Sequence, residues 1–306
     1  MFINDCHCHF FSDRFFKSLA AQRAEHLGNT SEKILQDLAW DAPGSSLELS
    51  NRWVQELDEN QVKRAALIAS VPDDQESVAI AVSQHPERFV GFFMVDPTLD
   101  GTVEKVQRAI VELGLSCICL FPAMHRYKVC DNKIMRIFEA VSSLNGAVFV
   151  HCGVLSIGVR NKLGLPSQFA IDCSNPLHLH SVAMTYPDLP IIIPHFGAGF
   201  LSEALMVADL CPNVYLDTSS SNSWIKYHSG LTLEDVFRQA FDVLGADRLI
   251  FGTDSSFFPR GWQRGVRDHQ VEIMGKIGVT HSDKEKVFSG NFDQIFPVDQ
   301  SRTKRC

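Results

Sequence analysis

The run Phe2-Ile3-Asn4-Asp5-Cys6-His7-Cys8-His9 opens the chain with two histidines set two residues apart. In an extended strand alternate side chains share a face, so both imidazoles would point the same way and could hold one metal ion from the end of a first strand. Two polar residues near a strand end would look the same, so the rest of the chain has to decide. Three later segments repeat the arrangement. Ala147-Val148-Phe149-Val150 stops at His151, Pro190-Ile191-Ile192-Ile193-Pro194 stops at His195, and Arg248-Leu249-Ile250-Phe251-Gly252-Thr253 stops at Asp254. Each is an apolar run of strand length bounded by Gly or Pro, the pattern of a buried parallel strand. Each carries its metal-capable residue at the C-terminal end, the edge where parallel α/β folds build their sites.

The full count of such runs predicts strands near 2–8, 62–69, 89–95, 115–121, 147–152, 190–195, 213–218 and 248–254. Amphipathic stretches of helical length lie between most of them, at 74–86, 102–113, 133–145, 199–210 and 264–277. Eight strand-then-helix units match a (β/α)8 TIM barrel. A doubly wound sheet usually has fewer strands and often a Gly-rich phosphate turn; the chain has no Gly-x-Gly-x-x-Gly and no P-loop, and Gly197-Ala198-Gly199 reads as a tight strand-to-helix turn. We expect one domain over residues 1–306, with its surplus length at 10–49 after the first strand. That insertion carries Phe10, Phe11, Phe15, Phe16 and Trp40, and should serve as a cap over the barrel mouth, a homodimer interface, or both.

A formal charge of −8 disfavours nucleic acid and anionic membrane as partners. No apolar stretch reaches about 18 residues and Met1 leads straight into a strand, so the expectation is a cytoplasmic protein acting on a small molecule. Nine cysteines, several inside strand-like runs, read as small buried hydrophobes. Strand alternation would set Cys6 and Cys8 opposite the two imidazoles, packed outward against helices.

The segments Asp5-Cys6-His7-Cys8-His9, Pro194-His195-Phe196-Gly197-Ala198-Gly199, Asn213-Val214-Tyr215-Leu216-Asp217, Leu249-Ile250-Phe251-Gly252-Thr253-Asp254 and Gly290-Asn291-Phe292-Asp293-Gln294-Ile295-Phe296 together resemble the amidohydrolase superfamily. More narrowly, the chain is similar to the amidohydrolase-related (amidohydrolase 2) branch that includes aminocarboxymuconate semialdehyde decarboxylase. The resemblance implies His7, His9, His151 and Asp254 as ligands of one divalent metal ion, with His195 beside it and His195 and Asp254 as the catalytic acid/base groups. Imidazoles and one carboxylate suit Zn2+ first, with Mn2+ as the alternative, and leave a position for water. A bound ion can bring that water's pKa down to about 7. Binuclear members place a bridging lysine or glutamate at the end of strand four. Here Ser116-Cys117-Ile118-Cys119-Leu120-Phe121-Pro122 offers neither, and Cys119 is read as core packing rather than a ligand.

His125 and Arg126 after strand four, Arg160 after strand five and Arg260 after strand eight are placed by chain order to face the mouth, where they could bind a substrate carboxylate. The reading that follows is a metal-dependent hydrolase attacking a carbonyl-type carbon of an amide, ester or lactone. The alternative is a non-oxidative decarboxylase of a small unsaturated or aromatic carboxylic acid, because one ligand set serves both.

Overall fold

Eight short parallel strands follow one another round a single sheet: β1 Asn4–Phe10, β2 Arg64–Ala69, β3 Phe89–Met94, β4 Cys117–Leu120, β5 Ala147–Val150, β6 Ile191–Ile193, β7 Val214–Asp217 and β8 Leu249–Ile250. These come from a computed structural model that describes residues 2–220 and 222–298. Each strand pairs with the next in parallel register. The chain leaving β8 returns to β1 and closes the ring. Cys6 N donates to Phe251 O at 2.9 Å, Asp254 N to His7 O at 2.9 Å and His9 N to Ser255 O at 2.7 Å. The fold is the (β/α)8 barrel that the strand count predicts.

Nearly every strand residue is buried, because one face fills the barrel and the other meets the helices. Ile68, Phe92, Cys119, Phe149, Ile192 and Ile250 pack inside, and Leu67, Val148, Ile191 and Leu249 pack outside. The helix Ser46–Glu59 shows how local chemistry frames this packing. Ser45 and Glu48 form a reciprocal capping box at its start, and Leu49, Trp53 and Leu57, four residues apart, turn one stripe to the core.

The cysteines depart from simple alternation. The register of β1 against β2 shifts between Asp5 and Cys8, and that irregularity turns Cys6 into the barrel with Cys117 and Cys119, while Cys8 packs on the outer side. Burial pushes the Cys119 thiol well up, so it is no ready thiolate ligand, and it packs in the interior as expected.

The stretch after β1 forms two helices, Asp13–Ala21 and Ser31–Leu38, each opened by a side-chain cap, from Ser12 and Thr30. Phe15, Phe16, Leu19, Ile34 and Leu38 pack there with Val159, Leu163 and Leu165 from beyond β5, a small cluster separate from the barrel core. Among the described residues no helix is long and apolar enough to cross a membrane.

Candidate metal centre

His7, His9, His151, His195 and Asp254 all arrive at the C-terminal end of the barrel, from β1 and from the chain just beyond β5, β6 and β8. The His7 ring lies 5.1 Å from that of His9, 5.5 Å from His151 and 5.0 Å from His195, centroid to centroid. Two overlapping groups, His7/His151/His195 and His7/His9/Asp254, each bring one ligand atom per residue within 4.8 Å of the others. His195 therefore stands as close to a common centre as the residues expected to be ligands.

The backbone is bent to achieve this. His195, Phe196, Gly197, Ala198 and Gly199 all have positive φ, and so does Asp254 at 60°. For a residue with a side chain that conformation costs on the order of 1 kcal/mol or more, and it persists where the surrounding fold enforces it. Two glycines supply the room. A Cβ on Gly153 would lie 2.2 Å from the Gly197 carbonyl oxygen, and one on Gly252 would lie 2.5 Å from Asp217 Oδ1 and 3.0 Å from His7 Cβ.

A buried layer sets the imidazole tautomers. His7 Nδ1 donates to Asp217 Oδ2 at 2.8 Å, and Asp217 also accepts from Ser219 N at 2.6 Å and Ser219 Oγ at 2.9 Å. With Nδ1 committed, His7 Nε2 is left as a lone pair, and it is buried without a hydrogen-bond partner. Ser70 Oγ gives its proton to Ile68 O at 2.9 Å, so it accepts from His9 Nδ1 at 2.7 Å and leaves His9 Nε2 as a second lone pair. That lone pair faces Asp254 Oδ1 at 3.1 Å, while His7 Nε2 stands 3.6 Å from the same oxygen. Lone pairs converging on a carboxylate suit a cation held between them. Nδ1 of His151 is likewise buried and unpartnered. The residues present fit a divalent ion, and the hydrogen bonds behind them have the form seen behind histidine ligands in general.

Electrostatics agree. Burial pushes the His7 imidazolium down to about 4, and burial together with neighbouring imidazoles lowers His151 and His195, so all three are neutral and able to donate lone pairs near neutral pH. Burial alone would push the Asp254 carboxyl up, but the imidazoles of His9, His7 and His195 around it hold it well below the usual carboxylate range. Asp217 is pushed up by burial, against the opposing His195 charge and the Ser219 bonds. His195 Nδ1 meets Ser219 Oγ at 2.8 Å, so one hydroxyl ties both histidines to Asp217.

Sequence reasoning assigned no role to this layer. Asp217 was visible as a strand-end carboxylate, but Ser70, Ser219 and the buried Asp5 carried no local signal. Asp5 accepts from His7 N, Thr253 N, Thr253 Oγ1 and Trp262 Nε1 at 2.5–3.1 Å, clamping β1 to the chain before Asp254.

The cluster opens into a cavity of about 400 Å3 walled by Phe11, Phe15, Trp40, Phe121 and Trp224. Phe121 stacks on His151 at 3.9 Å, and Trp40 stacks on Phe257 at 3.8 Å. Of the four proposed substrate-binding residues, Arg260 lines this cavity, bonded to Asp254 O at 3.2 Å and Ser256 Oγ at 2.7 Å. His125, Arg126 and Arg160 line a neighbouring one instead.

Comparison with known proteins places this geometry. Over 249 residues, 74% of the chain, it is 22% identical to 2-amino-3-carboxymuconate-6-semialdehyde decarboxylase of Dictyostelium discoideum, covering 66% of that protein. The chain thus spans less than two thirds of the length of the curated relatives it matches. The solved structure of 5-carboxyvanillate decarboxylase from Sphingomonas paucimobilis superposes with a TM-score of 0.65 at 16% identity, over 97% of this chain and 99% of that one. A probable 2-pyrone-4,6-dicarboxylic acid hydrolase from Acinetobacter baumannii does so with a TM-score of 0.61 at 15% identity, over 97% and 99%. Both likenesses concern the barrel. The Amidohydrolase family pattern matches residues 4–297, so the chain belongs to the amidohydrolase family.

Proposed function

We propose that the protein is a metal-dependent carboxy-lyase that removes CO2 from a small aromatic or unsaturated carboxylic acid. The observation that carries the reading is the cavity wall: five aromatic side chains line it together with the histidine/aspartate cluster and the Arg260 guanidinium. Such a slot suits a flat apolar body bearing one acid group. The sequence alone favoured hydrolysis; this lining, which no linear pattern reveals, moves the preference.

A divalent ion held by His7, His9, His151 and Asp254 would supply positive charge to bind and polarise a substrate oxygen. Arg260 is placed to hold an acid group by charge-assisted hydrogen bonds, and the aromatic wall excludes water around it. The C–C bond to the carboxylate breaks, its electron pair stays on the ring or unsaturated carbon, and a proton takes the place of CO2. His195 and Asp254 both line the cavity and are the groups that can pass that proton.

The test is a panel of hydroxybenzoic and other unsaturated acids, with lactones and amides alongside, given to metal-loaded protein in heavy water. We expect CO2 release with one deuterium on the carbon that lost it. Acid release from a lactone or amide, with no CO2 from any acid, would refute the lyase reading and establish hydrolysis. That second reading keeps support from the probable hydrolase of similar fold and from the carboxylate of Asp254, which can accept a proton from an attacking water.

A further inference from the structure

We propose a second binding site, one wall away from the histidine/aspartate cluster, that takes the carboxylate arm of a bifunctional ligand. It rests on the reading of the first cavity as the substrate site. The loops after β4 and β5, with the helix Asp13–Ala21, enclose a cavity of about 390 Å3 whose wall carries Arg126, Arg160 and His125 and no Asp or Glu. The two guanidiniums rest on neutral acceptors. Arg126 Nη2 donates to Gln168 O at 3.0 Å, and Arg160 donates to Gln22 Oε1 and Pro166 O at 2.6 Å each. Nε of Arg160 and Nδ1 of His125 are buried with no partner. Two positive charges, one of them Arg160 with a buried N–H left unfilled, and no acid in the wall amount to an oxyanion site, because buried donors are costly to leave unpaired.

The two cavities share Phe15, Ser70, Met94, Met124, Ile157 and Val159 in their walls. Five of these six are apolar, so a ligand lying along them has an apolar body with an acid at each end. The forked guanidinium matches a planar carboxylate and would hold it in two hydrogen bonds.

Isothermal titration of the metal-loaded full chain decides the matter, using the α,ω-dicarboxylates from succinate to suberate, their monomethyl esters, and inorganic phosphate. At one chain length the diacid should bind about 10-fold or more tighter than its own monoester, the scale of one charge-assisted hydrogen bond. Arg126→Met, at an exposed position, should shrink that ratio below about 3-fold, with the melting temperature checking the fold. A series in which no diacid outbinds its monoester overturns the site, and so does a preference that survives both Arg126→Met and Arg160→Met. Phosphate binding tighter than every diacid, and lost with Arg126→Met, overturns the carboxylate assignment. These probes do not react, so a failure of the lyase reading leaves the ratios standing and the two failures are distinguishable.

Discussion

At the strand ends, His7 and His9 each commit one ring nitrogen to a fixed acceptor, Asp217 Oδ2 or Ser70 Oγ, and present the other to a shared centre. In the loops, Arg126, Arg160 and Arg260 lean on backbone carbonyls and on neutral or hydroxyl oxygens, with donors to spare. The first arrangement fixes the orientation of each ring; the second fixes a charge in a region and leaves geometry to the ligand. On the proposed function, chemistry falls to the barrel and selection to the loops, a division the fold makes natural because strand ends are anchored by the sheet. Each prediction that follows strains one side of that division.

The largest effect should come from the strand ends. His7→Ala removes the lone pair common to both candidate ligand groups, and should abolish stoichiometric metal by elemental analysis and lower turnover by about 1,000-fold or more. Prolonged chelation of the wild type should do the same, reversibly on adding Zn2+ or Mn2+. A His7→Ala protein that keeps one ion per chain would show that the centre does not rest on β1.

A pH titration of the metal-stripped protein comes next. His7 titrates near 6.5 when unfolded and near 4 when folded, so between those values the unfolded chain binds more protons. Its contribution to stability is complete above about 6.5 and is lost as the pH falls through about 4, an effect of about 3 kcal/mol. His151 and His195, also lowered, act in the same sense, while Asp5 and Asp217, raised by burial, oppose it. We expect lower denaturant midpoints at pH 5 than at pH 7.5, and a smaller difference once metal is restored, because metal competes with protons for the same nitrogens. Midpoints that stay level or rise on acidification would show that the raised carboxyls of Asp5 and Asp217 outweigh the buried imidazoles.

What the sequence disclosed divides along the same line. The barrel, the five converging residues and the absence of a bridging group at β4 were legible because each is written locally, as an apolar run with its polar residue at the end. Asp217 was in view but had no assignable role, since its partner His7 lies 210 residues away and nothing local links them. Cys6 was set on the wrong side because a register shift in β1 breaks the alternation that assigned it. The arginines were found by chain order, yet chain order could not tell one cavity from two.

The buried layer itself offers a sharper test. Asp217→Asn keeps the shape but presents an amide that can turn either face to His7, so the Nδ1–H tautomer is no longer enforced. Metal affinity should fall by about 10- to 100-fold, with the ion recovered at high concentration. Ser70→Ala, which removes a neutral acceptor behind His9, should cost less, near the lower end of that range. Competition with a coloured chelator measures both, and equal losses would show that the two supports are not ranked by charge.

The smallest effect should fall on the aromatic wall. Trp40 belongs to the stretch after β1, stacks on Phe257 at 3.8 Å with 9° between the planes, and lies 6.0 Å from the Phe11 ring. We take it as part of a lid over the mouth, a wall that holds the body of the substrate without touching the reacting bond. Trp40→Ala should then raise KM for the best acid of the panel by about 10-fold, the loss expected for one aromatic contact, and change kcat by less than about 3-fold. The metal content should be unchanged, because none of the residues that converge on His7 bonds to Trp40. If kcat collapses while KM holds, Trp40 acts at the reacting carbon or in closing the site, and the division between barrel chemistry and loop selection fails at its most exposed point.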